Sequence, residues 1–178
     1  MASLMENLIE VLDMESQEYE NLLGLSMKKT PVIVAGDLEE LAKITDEEQT
    51  VVSRINRLEQ KRQEVFTDVA NVINKDVNKL MLADLIEMLK TRPAEQQKLA
   101  RVHDRLKAAV HEVKRVNGQN RILIQNALEM VEFDMNMLQA MKAAPETANY
   151  NKGAYNTGEH MGVGGGGFDA KQRSLRTL

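Results

Sequence analysis

Apolar residues recur at steps of three and four along most of this chain, which is the spacing of one buried face of a helix. The first such stripe runs from Leu4 to Ile33 and predicts a first long helix. Pro31 lies near the end of that stripe. Because proline lacks a backbone N–H and crowds the preceding turn, the helix should kink or end near Thr30 before it resumes, and we expect a kink.

A turn signal precedes the second stripe. Gly36 suits a helix end, and Asp37 can cap the next helix. The pattern therefore predicts that the chain reverses here and that a second long helix covers residues 38–73. Charged residues interrupt its apolar stripe, and we interpret one group of them as a solvated helix surface of mixed sign: Glu59, Lys61, Arg62 and Glu64.

Two further helices complete the pattern. Residues 80–89 are strongly apolar and predict a short helix that closes one end of the bundle. Pro93 suits the first turn of a third long helix, because its missing N–H is not needed there. The apolar stripe of that helix continues to about Met141.

Asparagine lies at or near the stripe of the third long helix, at positions 117 and 120. A polar residue in such a seam lowers stability but can fix the register of the neighbouring helix. A hydrated kink near Gly118 is an equally good interpretation.

These elements predict an all-α fold, an elongated antiparallel helical bundle with coiled-coil-like packing, built from three long helices and one short helix. We assign residues 1–142 to this helical domain. Residues 149–168 hold seven of the chain's 10 glycines, including the run 164–167. Such a segment cannot bury enough apolar surface to fix its backbone, so we predict that residues 143–178 form a flexible tail.

Composition argues against several functional classes. The chain has a net charge of -4 with both signs spread along it, which does not favour a nucleic-acid partner. It contains no cysteine, and His103, His111 and His160 lack the spacing of paired helical metal ligands. The glycine run comes after no predicted strand and precedes no Lys-Ser or Lys-Thr pair, so it does not match a phosphate-binding loop. We expect no enzyme activity, cofactor or metal.

The expected location is the cytoplasm. The first twenty residues carry six acidic side chains and no basic one, the opposite of a secretory signal. The longest apolar runs are of four residues, far below the roughly 20 that cross a bilayer. The sequence therefore predicts no membrane insertion.

Methionine is concentrated at the end of the third long helix. Met135, Leu138 and Met141 follow the predicted buried stripe, whereas Met130, Phe133 and Met137 extend apolar surface around the helix. Flexible thioether side chains adapt to different apolar partners, so this region could accept a partner helix, or it could be core. The candidate partner-binding residues, including three anchors in the tail, are Met130, Phe133, Met137, Leu138, Met141, Tyr150, Tyr155 and Phe168.

One stretch resembles a known family. Residues 28–45, KKTPVIVAGDLEELAKIT, together with residues 47–49 and 54–62, are similar to the FlgN-type flagellar export chaperones. The order of helices is similar over roughly residues 1–142, and the glycine-rich tail looks like that of Gram-positive members.

The resemblance implies a cytoplasmic chaperone that holds flagellar hook-associated (filament-junction) proteins before type III export and escorts them to the export gate. In that family the client is engaged by the carboxyl-terminal part of the last long helix and by the segment after it, here residues 130–141 and the tail. The alternative from another class is a structural or adaptor coiled-coil protein that acts through homo-oligomerisation.

Overall fold

The structure, a computed structural model, describes residues 3–143, which form four α-helices and no strand. A single 3-10 turn, Leu89–Thr91, joins the third helix to the fourth. The predicted all-α bundle of three long helices and one short helix is confirmed. The helices are α1 (Leu4–Ala35), α2 (Leu38–Val72), α3 (Leu82–Met88) and α4 (Pro93–Ala143).

Local chemistry explains where α1 and α2 begin and end. The Ser3 hydroxyl accepts a hydrogen bond from the Glu6 backbone N–H at 3.1 Å, and the Glu6 carboxylate accepts one from the Ser3 N–H at 2.7 Å. This capping box satisfies two N–H groups that have no partner within the helix. At the other end Gly36 adopts a left-handed conformation with φ of 69°, and Asp37 caps α2. The chain reverses at the predicted turn.

The helix does not end at Pro31. Instead α1 continues through Pro31 to Ala35, so the end that we considered near Thr30 is absent. A proline inside a helix removes one hydrogen bond and its ring clashes with a carbonyl of the preceding turn, which together cost about 3 kcal/mol. Here α1 packs against α2 and α4 along its length. Tertiary packing therefore maintains a helix that the local sequence disfavours.

The helices α1 and α2 run antiparallel. Arg54 Nε lies 2.9 Å from Glu18 Oε1, and Lys29 Nζ lies 2.7 Å from Glu48 Oε2, so residue numbers fall along α2 as they rise along α1. The hydrogen bond from Arg54 holds the pKa of the Glu18 carboxyl below its usual value. These pairs border the apolar interface and set its register.

The helices α1 and α4 run parallel. Arg105 Nη1 lies 2.7 Å from Asp13 Oδ1, and Arg105 Nη2 lies 2.7 Å from Glu20 Oε2. Further along, Thr30 meets Asn120. The two extensive helix contacts of the bundle are thus both made by α1, which lies between α2 and α4.

The short helix α3 lies between the end of α2 and the start of α4 in the chain. Its Leu82 and Leu85 are almost fully buried in the main core. The Gln96 side chain donates a hydrogen bond to the Ile86 carbonyl at 2.9 Å, which ties α3 to the first turns of α4. The core it joins includes Leu8, Leu12, Ile55, Phe66, Leu99 and Leu106.

The interpretation of Arg62 as a solvated surface residue is wrong. Arg62 is buried between α1 and α2, and its Nε lies 3.0 Å from Oε2 of the fully buried Glu15. In the next turn the Tyr19 hydroxyl donates a hydrogen bond to Glu59 at 2.8 Å. The cationic side chain enters the core because α1 supplies a carboxylate for it, a partner that the pattern of α2 alone does not reveal.

Candidate functional site

A polar cluster lies near the end of α1, and three of its members, Lys29, Thr30 and Glu48, belong to the residues that carry the family resemblance. The Asn120 side chain accepts a hydrogen bond from the Thr30 hydroxyl at 2.7 Å and donates one to the Ser26 carbonyl at 2.8 Å. Glu48 of α2 accepts hydrogen bonds from Ser26 Oγ at 3.2 Å and from Lys29 Nζ at 2.7 Å. Residues of all three long helices are therefore joined at one level of the bundle.

Asn120 is buried, and α4 continues without interruption through Gly118. The sequence allowed two interpretations here, a buried asparagine that fixes the register of the neighbouring helix and a hydrated kink near Gly118. The hydrogen bonds between Asn120 and α1 support the first. Asn117 is only partly buried and makes no comparable contact that joins the helices. The cluster holds α4 against α1 just before α4 leaves the bundle.

The end of α4 projects beyond the other helices. Since Thr30 pairs with Asn120 and α1 ends at Ala35, α1 reaches the level of about residue 125 on a parallel neighbour that rises about 1.5 Å per residue. Every residue from 125 to 143 is exposed. We call residues 125–143 the overhang; it is about 28 Å long.

The overhang displays large apolar side chains to solvent on several sides. All five candidate residues of α4 are more than half exposed. Several large exposed apolar side chains on one helix end are typical of sites that bind another molecule. The exposed fractions are 67% for Met130, 65% for Phe133, 55% for Met137, 58% for Leu138 and 69% for Met141.

The expectation that Met135, Leu138 and Met141 follow a buried stripe is wrong. These side chains are exposed, Met135 by 56%. The stripe is continuous in sequence, but the helices that would cover it end first: α1 stops at Ala35 and α2 starts at Leu38. Periodicity predicts which face of α4 is apolar, and only the lengths of its neighbours decide whether that face is covered.

Charge on the overhang is mostly negative. It carries Glu129, Glu132 and Asp134 against a single basic residue, Lys142. Glu129 and Glu132 are one helical turn apart and lie with Asn136 on one side of the helix. The apolar surface is thus bordered by carboxylates, which favours a partner with basic residues.

A second apolar feature, which the pattern along the chain does not predict, lies at the tip of the bundle where α1 turns into α2. Val34 is 71% exposed and Leu38 is 77% exposed, on either side of the turn at Gly36 and Asp37. Periodicity places Leu38 on the buried stripe of the second helix, which the structure contradicts. Its position directly after the turn is the signal that could have indicated exposure.

Other candidate groups take no part in this surface. The tail anchors Tyr150, Tyr155 and Phe168 lie outside the described residues, as does His160. His103 is buried with Nδ1 3.1 Å from Asp104 Oδ1, and His111 is exposed on α4. Within residues 3–143 no group of three or more His, Asp or Glu side chains gathers as metal ligands would.

Comparison with known proteins assigns the family. A family model described as FlgN protein matches residues 1–157. The chain belongs to the FlgN family. FlgN proteins are chaperones of flagellar proteins, so membership agrees with the resemblance carried by residues 28–45 and with the helical bundle.

A curated relative of this FlgN family member is the "Uncharacterized protein YvyG" of Bacillus subtilis (strain 168), which is 27% identical over 133 residues, covering 75% of this chain and 76% of the relative. No solved structure matches the chain significantly. In the part of this FlgN protein that the structure describes, no helix has the length and apolar character needed to cross a bilayer.

Proposed function

We propose that this protein is a cytoplasmic export chaperone that binds flagellar hook-associated proteins through the overhang and delivers them to the type III export gate. The observation that carries the proposal is the exposure of Met130, Phe133 and Met137 on a helix end that no other described helix covers. Membership of the FlgN family supports the flagellar part of the proposal. The tail residues Tyr150, Tyr155 and Phe168 remain candidate additional contacts.

The rigid part of the molecule presents this surface. The three long helices are joined by the buried cluster around Asn120, directly before the overhang starts. The direction of the overhang is therefore set by the bundle. A client segment meets a preformed apolar helix, and only the client has to become ordered.

The mechanism is cover and release. An apolar, disordered terminus of the client folds against the overhang, which removes its apolar surface from water and prevents aggregation. The free energy spent on ordering the client lowers the affinity, so the chaperone can hand the client on. Methionine side chains adapt to clients that differ in detail, and no nucleotide hydrolysis is needed for this cycle.

The decisive variant replaces Met130, Phe133 and Met137 with serine. We expect client capture, measured by calorimetry with purified full-length hook-associated proteins, to be lost. Helix content and melting temperature should stay nearly unchanged because these side chains are already in water. The matched control replaces the uncharged residues Gln125, Asn136 and Gln139 on the polar side with serine and should retain binding.

Two results would contradict the proposal. Loss of folded structure in the Met130, Phe133 and Met137 variant would show that the residues are core in solution. Unchanged binding in the same variant would show that the client docks elsewhere. A light-scattering concentration series without client tests the alternative of self-association, which predicts a mass that rises with concentration and falls in the apolar variant.

A further inference from the structure

The overhang carries two separate apolar stripes, and each has the three-and-four spacing of a helix contact. At about 100° per residue, the centres of the two stripes lie about 130° apart around the helix. One helix packed on either stripe leaves the other in water. The first stripe consists of Val131, Met135 and Leu138, and the second of Met130, Phe133 and Met137, all more than half exposed.

The bundle itself shows what produces such a pattern. The helix α1 lies between α2 and α4, and six of its ten buried residues form adjacent pairs, because two neighbours cover two sides. The overhang has adjacent apolar pairs of the same kind at 130–131 and 137–138. The paired buried residues of α1 are Val11 with Leu12, Glu15 with Ser16, and Leu25 with Ser26.

We propose that the client covers the overhang with two amphipathic helices, one on each stripe, in the way that α2 and α4 flank α1. The proposal rests on the function proposed above and specifies the form of the partner. Each client helix presents an apolar face, and the two helices come from different segments of one client chain.

The position of Asp134 indicates the charge of the partner. Asp134 lies midway between the two stripes, so it is next to both docked helices. Its carboxylate has no ion-pair partner among the described residues. A basic side chain from one of the client helices, next to the apolar face, would pair with it as both become desolvated.

The same residue disfavours a second copy of this chain as the occupant. Residue 134 is the midpoint of residues 125–143, so an antiparallel two-fold pairing of two overhangs places Asp134 opposite its own equivalent. Two carboxylates that face each other across an apolar contact repel. A client with basic residues at this place has no such conflict.

The tip of the bundle offers a contact for the end of one docked helix. Val34 and Leu38 are exposed at the level where the overhang leaves the bundle. The first stripe continues the face of α4 that carries Asn120, which α1 covers, so a helix docked on this stripe follows the line of α1 and its end can reach these two side chains. This explains two exposed apolar residues that the bundle does not use.

Single cysteines test the proposal directly, because the natural chain contains none. Three consecutive positions point in different directions: Met135→Cys lies on the first stripe, Met137→Cys on the second, and Asn136→Cys on the polar side. The rate of thiol labelling is measured for the full chain, alone and with saturating full-length hook-associated protein. We expect the client to slow labelling at 135 and 137 by about tenfold or more and at 136 by less than about twofold.

A photo-crosslinker attached to the same cysteines identifies the covering segments by mass spectrometry. The expected result is one client peptide from position 135 and a different one from position 137. Protection of only one stripe at saturation, or the same short peptide from both positions, overturns the two-helix proposal while leaving the chaperone function intact. Absence of client binding in the preceding calorimetry overturns both.

The remaining outcomes identify other occupants. Labelling that slows as the chaperone concentration rises, without client, assigns one stripe to a second copy. Labelling that is slow at every concentration and becomes fast when residues 144–178 are deleted assigns it to the tail of the same chain. Each of these results rejects the two client helices.

Discussion

Arg62 of α2 and Glu15 of α1 form an ion pair in the interior of the bundle, with 3.0 Å between Arg62 Nε and Glu15 Oε2 and almost no exposure of either side chain. A buried pair of this kind gains little over apolar residues of the same size, because both ions lose their hydration. Removing only one of the two residues is strongly destabilising, since the remaining charge is then buried without its counter-ion.

The single variant Arg62→Met should therefore be strongly destabilised, by about 3 to 5 kcal/mol. The double variant Glu15→Leu with Arg62→Met should regain most of that loss, because no charge is left without a partner. Urea unfolding followed by circular dichroism measures both. A single variant as stable as the unmodified protein would show that the pair is hydrated in solution.

The second relationship links Asn120 to Thr30, whose hydroxyl donates to the Asn120 side chain at 2.7 Å. We expect Asn120→Ala and Thr30→Val each to lower the free energy of unfolding by about 1 to 3 kcal/mol, since each leaves a polar group without its partner. The two losses should not add: a double-mutant cycle should return a coupling of at least about 0.5 kcal/mol. If the two losses of unfolding free energy simply add, there is no direct hydrogen bond between Thr30 and Asn120 in solution.

Alkaline pH should destabilise the bundle through Tyr19. Burial, with Glu59 close by, raises the pKa of the Tyr19 hydroxyl far above its usual value. In the unfolded chain the hydroxyl ionises near its ordinary pKa of about 10. The contribution of Tyr19 to the stability of the folded protein is therefore complete below that pH and falls as the pH rises above it. Tyr19 alone can lower the free energy of unfolding by up to about 1.4 kcal/mol for each pH unit.

The matched variant is Tyr19→Phe. At pH 8 its free energy of unfolding should be about 1 kcal/mol lower, because the hydrogen bond to Glu59 is gone. Between about pH 10 and 11 its free energy of unfolding should fall less steeply than that of the unmodified protein. Urea midpoints at both pH values measure this. An identical alkaline decline in the variant would assign the effect to lysines instead.

Two glycines should respond to alanine with opposite signs. Gly36 has φ of 69°, and nothing lies within 4 Å of an added Cβ, so Gly36→Ala should cost about 1 kcal/mol from backbone conformation alone. Gly118 lies inside α4 with the same open surroundings, so Gly118→Ala should stabilise by about 0.5 to 1 kcal/mol. Thermal melting of both variants checks the pair, and destabilisation by Gly118→Ala would indicate a kink at that position.

The pattern along the chain predicted most of the local structure. The start of α2 after Asp37, the short helix in residues 80–89 and the start of α4 at Pro93 are all as expected. These features depend on caps, turns and periodicity, which act over a few residues and can be read one segment at a time. The same periodicity identified the apolar end of α4.

Contacts with other helices decided the features that the local pattern did not predict. Arg62 is buried because Glu15 lies across the interface, and α1 passes through Pro31 because it is packed on two sides. The stripe with Met135 and Leu138 is exposed because α1 and α2 end before it. The sequence by itself determined the helices and their apolar faces, whereas only the tertiary structure decided which faces are covered, since coverage depends on the length and position of a neighbouring helix.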